Sequence, residues 1–332
     1  MAFGGRGLVP GPRTRHVLGM RRRTFLLRAA GLAAAVGGGL WLKDNLLWKR
    51  PELSFGREGS GWLPFVSRRA NVPTVQVQVG HRTVTALIAT GAQYSVIDRG
   101  LVAELGLGQG FDMPLIAYGV GGQPQGGRGV TLDLSVGQLQ VPRLRTAILD
   151  LGPLASEAGL GAQVVLGQDL FNAAVVELDL ERRRVRLVDP GTWTPAAGYR
   201  PVEVSRKGTA LVTEVSLEGA VIEAVIDTGF SALIALSEGA ATTAGLLDGR
   251  EERSGASIVL GGVARARMIR AQTMTFDEAL WRQVQVHVFA DSPLPNYPQA
   301  LLGMAAFAER QVALDLGRGR LHQSGELNLT VG

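Results

Sequence analysis

The chain has 332 residues, of which 46% are hydrophobic and 19% charged; this excludes a disordered or collagen-like chain and is enough to bury a core without staples. It contains no cysteine, which excludes disulfides, a thiolate zinc site and a cysteine nucleophile. The net charge of +5 divides unevenly, because residues 1–50 hold ten Lys/Arg against Asp44 (+9) and the remainder holds 24 basic and 28 acidic residues (−4). The body of the protein is thus mildly acidic, without a basic stripe to follow phosphates, and nucleic acid is not an expected partner. His16, His81, His287 and His322 are too scattered for metal-ligand spacing, so neither a metal nor a cofactor is expected.

The basic N-terminus reads Arg22-Arg23-Thr24-Phe25-Leu26-Leu27 and then runs mostly apolar to Leu42. This resembles a twin-arginine export signal. Residues 1–43 are expected to contain a signal or anchor helix that serves as that signal or as a membrane anchor, placing the protein on the periplasmic side. Residues 26–42 sit at the lower length limit for spanning a bilayer. Trp41 and Trp48 beside Lys43, Lys49 and Arg50 suit an interfacial belt. Residues 44–71 mix Trp, Pro, Gly and Arg without period and read as a linker or arm.

From Pro73 onward alternation dominates. Thr74–Val79 places its valines on one face, Val130–Val136 alternates four apolar with three polar residues before a Gly137-Gln138 turn, and Leu211–Leu217 follows the same pattern. Short helices are expected near Leu101–Leu107, Leu166–Phe171 and Ser237–Leu246, and Arg182-Arg183-Arg184 reads as a solvated hairpin tip. The class is mostly β with small helices.

An internal repeat then fixes the organisation. Ala86-Leu87-Ile88-Ala89-Thr90-Gly91 matches Ala224-Val225-Ile226-Asp227-Thr228-Gly229 at an offset of 138. Val120-Gly121-Gly122 matches Leu260-Gly261-Gly262 at 140, and Leu166-Gly167, Phe171 and Leu178-Asp179-Leu180 match Leu302-Gly303, Phe307 and Leu314-Asp315-Leu316 at 136. Two copies of one β-rich unit are expected, at 72–190 and 199–325, with a hinge at 191–198.

An apolar strand, Asp-Thr-Gly, a second apolar strand and a later Leu301-Leu302-Gly303 resemble the aspartic peptidases of the retropepsin and pepsin kind. The resemblance spans Pro73 to Ser324. It implies two β-barrel lobes related by a pseudo-two-fold axis, with a cleft between them that takes an extended polypeptide. In the first copy, Ala92 to Ile97 resembles the retroviral continuation of the loop. Ile116 to Gly121 resembles the flap hairpin, with Tyr118, Gly119 and Gly121 as expected substrate contacts. The resemblance makes Asp227 the catalytic carboxyl, with Thr228, Gly229, Ala89, Thr90 and Gly91 completing the two active-site loops.

In such a pair two carboxyls about 3 Å apart share one proton, so that one activates water while the other protonates the scissile carbonyl. Here the first loop reads Ala89-Thr90-Gly91. Alanine neither gives nor takes a proton. Two readings stay open: an exported aspartic endopeptidase that works through Asp227, and a non-cleaving peptide-binding module on the same scaffold. Asp98, nine residues past Ala89, is expected to project elsewhere and not to replace the missing group.

Overall fold

The structure is a computed structural model that describes residues 40–41, 51–68, 70–108, 110–117, 125–156, 159–259, 262–292 and 297–324. The expected flap contacts Tyr118, Gly119 and Gly121 lie outside these residues, as does all of the N-terminal signal segment except Leu40 and Trp41. Those two residues, expected within a signal or anchor helix, form a short strand instead. Among the described residues no helix is long and apolar enough to cross a membrane.

The strands of the first half are β1 Leu40–Trp41, β2 Leu63–Pro64, β3 Thr74–Val79, β4 Arg82–Ile88, β5 Val96–Asp98, β6 Phe111–Ala117, β7 Gln125–Val136, β8 Leu139–Leu149, β9 Ala162–Leu166, β10 Val175–Asp179 and β11 Arg184–Val188. Helices α1 (Arg99–Glu104) and α2 (Gln168–Phe171) follow β5 and β9. The second half contributes β12 Tyr199–Val202, β13 Ser205–Lys207, β14 Ala210–Leu217, β15 Ala220–Ile226, β16 Ile234–Ser237, β17 Arg253–Val259, β18 Gly262–Phe276, β19 Ala279–Phe289, β20 Ala300–Leu302, β21 Gln311–Asp315 and β22 Arg320–Ser324. Helix α3 (Glu238–Thr243) follows β16.

Alternation drives these strands. β3 buries Thr74, Val75, Val77 and Val79 and exposes Gln76 and Gln78, as a half-solvated antiparallel strand should. The helices are short: α1 and α3 are six residues each with a side-chain cap, and α2 is a single turn of four without one. Asp98 accepts the amide of Gly100 at the start of α1 and Ser237 accepts that of Ala240 at the start of α3.

Three sheets result. The first has the order β1-β6-β7-β3-β4-β9-β5-β8, and β8 also pairs with β7, closing a barrel of six strands. The third has the order β13-β14-β15-β20-β16-β19-β18-β17, closed by β14 on β18. The rings β3-β4-β9-β5-β8-β7 and β14-β15-β20-β16-β19-β18 place corresponding strands in the same order. Each contains two parallel pairs, β4–β9 with β5–β8 and β15–β20 with β16–β19.

The second sheet, β12-β22-β21-β10-β11-β2, takes strands from both halves. At its centre β10 runs antiparallel to β21 with Val176 opposite Leu314 and Leu178 opposite Val312. This sheet joins the two barrels.

Residues 44–71, read as linker or arm, are firmly placed where described. β2 extends the second sheet beyond β11, Ser54 exchanges both backbone hydrogen bonds with Gln140, and Phe65 is buried. The arginine run at 182–184 is a hairpin tip, but a bonded one. Arg182 and Arg184 pair with the buried Asp179, and Arg183 reaches Asn71 Oδ1 and the carbonyls of Ser67 and Ala70. The expectation of a merely solvated tip is corrected: the arm lies against it.

Candidate functional site

Strands β4 and β15 each end in a fully buried apolar triplet, Ala86-Leu87-Ile88 and Ala224-Val225-Ile226. The turn that follows each strand is tied down in the same way. Ala89 N donates to Leu166 O at 3.0 Å and Asp227 N to Leu302 O at 2.9 Å. Ala92 N closes the first turn on Ala89 O at 3.1 Å, and Phe230 N closes the second on Asp227 O at 3.2 Å. The backbone that would present a carboxyl at position 89 is therefore kept.

The two turns meet. Thr90 Oγ1 donates to Ile226 O and Thr228 Oγ1 to Ile88 O, both at 2.7 Å. The amides of Thr90 and Thr228 each donate to the other threonine's hydroxyl at 3.1 Å. All four groups are buried, so the clasp works where unmet polar groups are expensive.

Asp227 lies over this clasp with no exposed surface. Its Oδ1 accepts Gly229 N at 2.8 Å from its own loop and Gly91 N at 3.0 Å from the other. One carboxyl thus collects the glycine amides of both loops. Its Oδ2 is buried and has no hydrogen-bond partner among the described residues. Burial raises the Asp227 pKa to about 6, although the two amide hydrogen bonds pull it down. Gly91 must be glycine here, since a Cβ would fall 2.4 Å from Asp227 Cγ and 2.6 Å from Oδ2.

Several residues of the centre were not singled out from the sequence. Gln168, which opens α2, donates from Nε2 to Thr90 O at 2.8 Å and accepts Thr209 Oγ1 at 2.6 Å. It thereby links the first loop to the β13–β14 turn. In the first loop's continuation, Ser95 gives its amide and hydroxyl to the buried Asp169 and accepts Gly167 N. The second half has Leu233 and Ala305 at the corresponding places and makes a backbone bond there instead, Gly303 N to Leu233 O. Phe230 stands edge-on to His287, whose pKa burial lowers to about 4. The signal for Gln168 was its place directly after Leu166-Gly167; nothing local in the sequence marks His287.

A cavity of about 740 Å³ opens beside the first loop, with Gly91, Gln93 and Gln168 on one side and Thr209, Val225 and Tyr297 on the other. Both halves of the chain line it. Asp98 is spent elsewhere: its carboxyl caps α1 and accepts Leu151 N. It does not replace the group missing at 89. Among the described residues no group of three or more His, Asp or Glu side chains is placed to hold a metal ion.

Paired barrels, a shared sheet and two loops clasped at their threonines define a protein of the aspartic-peptidase type. Residues 75–170 match the family model described as aspartyl protease, and residues 213–309 match the one described as gag-polyprotein putative aspartyl protease. The chain belongs to the aspartic peptidases of the retropepsin kind and carries one such unit in each half. No curated protein matches it in sequence. Among solved structures, a retropepsin-like aspartic protease from Rickettsia conorii is 19% identical over 40% of this chain and 94% of its own, with a TM-score of 0.29. Basic 7S globulin from soybean is 11% identical over 79% of this chain and 94% of its own, with a TM-score of 0.42.

Proposed function

We propose that this protein is a polypeptide-binding member of its family that has lost hydrolysis, with two lobes related by an approximate half-turn and an extended chain held between them. The observation that carries the reading is the state of the central carboxyl. Asp227 Oδ1 takes both glycine amides, and Ala89 fills the opposite position. Peptide hydrolysis by this route needs a charged carboxyl to activate water and a protonated one to protonate the carbonyl. A single carboxyl cannot hold both states at once. The cavity between the lobes and the intact clasp leave a binding cleft whose chemistry is gone.

Export completes the reading. The twin-arginine-like segment would place the cleft on the periplasmic side of the cytoplasmic membrane, tethered through residues 26–42 where the segment is retained.

The test is a cleavage assay on an unstructured peptide library with the unaltered chain, Asp227→Ala and Ala89→Asp. The unaltered chain should retain peptides without cutting them. Ala89→Asp should acquire cleavage with a bell-shaped pH profile, since two coupled carboxyls would then titrate. Strong cleavage by the unaltered chain, abolished in Asp227→Ala, would refute the reading.

A further inference from the structure

Asp227 Oδ2 is a buried acceptor with no partner among the described residues, in a protein whose other buried carboxyls are well matched. Asp169 has Ser95 and Asp179 has Arg182 and Arg184. An orphaned buried oxygen of this kind is uncommon and calls for an explanation. The difference between alanine and aspartate is one carboxyl group, and the backbone at 89 has not collapsed to absorb its loss. The cavity wall abuts this place: Gly91 lines it and has its missing Cβ position 2.6 Å from Oδ2, while Ala89 and Asp227 are themselves fully covered.

Among the described residues, the elements packed around Asp227 bring no charge to it. The first loop contributes Ala89, Thr90 and Gly91, its own loop Thr228, Gly229 and Phe230, and β20 the Leu302 carbonyl. His287 stands behind the Phe230 ring, and Asp169 is bound to Ser95.

We propose that the ligand supplies the missing member of the pair: a carboxyl group on the bound molecule seats beside Ala89 and shares one proton with Asp227 Oδ2. This rests on the polypeptide-binding reading and names its anchoring chemistry, a free carboxyl such as a chain's C-terminus. A carboxylic acid suits this oxygen better than an amide or a hydroxyl, since a pair with one shared proton satisfies both oxygens whichever of them holds it. The raised pKa of Asp227 favours its bringing the proton to the pair in mildly acidic solution.

The test is calorimetric titration of the full chain with three probes: sodium formate, N-acetyl-phenylalanyl-phenylalanine with a free C-terminus, and the same dipeptide as its C-terminal amide. The free acid should bind at least about tenfold tighter than the amide at about pH 5, and weaken about tenfold per pH unit above about pH 6 as one proton must be taken up. That uptake is read by repeating the titration in buffers of different ionisation enthalpy. Ala89→Asp should abolish the preference for the acid. Asp227→Asn, which keeps the shape of the site, should abolish the proton uptake.

Formate binding with the same pH dependence, without the dipeptide acid, would support the carboxyl site while refuting the polypeptide reading. Equal binding of acid and amide would overturn the carboxyl proposal and leave the polypeptide reading standing. Binding of none of the three would overturn the carboxyl proposal, and retention of longer peptides in the cleavage assay would then decide the other reading separately.

Discussion

Two buried titratable groups in the second lobe pull stability in opposite directions over one pH window. Asp227 has its pKa raised to about 6, so between about pH 4 and 6 the folded chain holds a proton that the unfolded chain has released. Its contribution therefore grows as pH falls through that window and is lost as pH rises. His287 has its pKa lowered to about 4, so over nearly the same range the unfolded chain gains a proton that the folded one refuses, and stability falls with pH. Each effect amounts to about 3 kcal/mol at most, and in the unaltered protein they largely cancel. Asp227→Asn should expose the histidine slope, with stability falling by about 2–3 kcal/mol from about pH 7 to pH 4. His287→Leu should expose the opposite slope. Urea denaturation across that range checks both, and parallel profiles for the two variants would contradict the assignment. Position 227 was legible in the sequence because its loop repeats at a fixed offset. His287 was not, because its importance comes from packing on Phe230 across strands far apart in the chain.

Among elements, the clasp between the two loops is the joint on which the centre depends. Each threonine hydroxyl donates to one buried carbonyl and accepts one buried amide of the opposite loop. Replacing either by valine keeps the shape but strands two buried groups, which costs about 2–6 kcal/mol at about 1–3 kcal/mol per unmet group. The two sites share partners, so Thr90→Val with Thr228→Val should be non-additive by about 1 kcal/mol or more. Denaturant titration of the four proteins measures that coupling, and strict additivity would mean that the loops do not act as a unit. The sequence announces this joint, since Thr-Gly recurs after an apolar triplet in both copies. It also announces α1, α2 and α3, each within a few residues of its observed bounds, because capping residues and turn glycines are local signals. Gln168 escaped notice for the converse reason. Its counterpart at the same offset is Met304, so the repeat that exposed the other residues conceals this one.

For the whole molecule, the sheet shared by the two lobes is as important as either barrel, and its outer edge is closed by the least regular part of the chain. Residues 51–66 showed no period because they pair in pieces: Leu63 and Pro64 on β11, Ser60 N on Leu187 O and Phe65 N on Arg183 O, both at 2.8 Å. Their side chains are fixed as well. Trp62 lies under the guanidinium groups of Arg184 and Arg186 at 4.4 and 4.7 Å, an arrangement favoured by the ring's electron-rich face. Phe65 is buried beneath Arg183. A chain begun at Pro51 keeps all of these contacts and should melt within about 2 °C of the full-length protein. A chain begun at Ser67 loses the burial of Phe65, worth about 2–3 kcal/mol, and several hydrogen bonds of about 1 kcal/mol each. Its melting temperature should fall by about 10 °C or more. It would also present β11 as an unpaired edge, so light scattering should detect association that the longer chain does not show. Equal melting temperatures for the two truncations would mean that the arm merely rests on the sheet. A drop confined to the shorter one would make it an integral strand of the body.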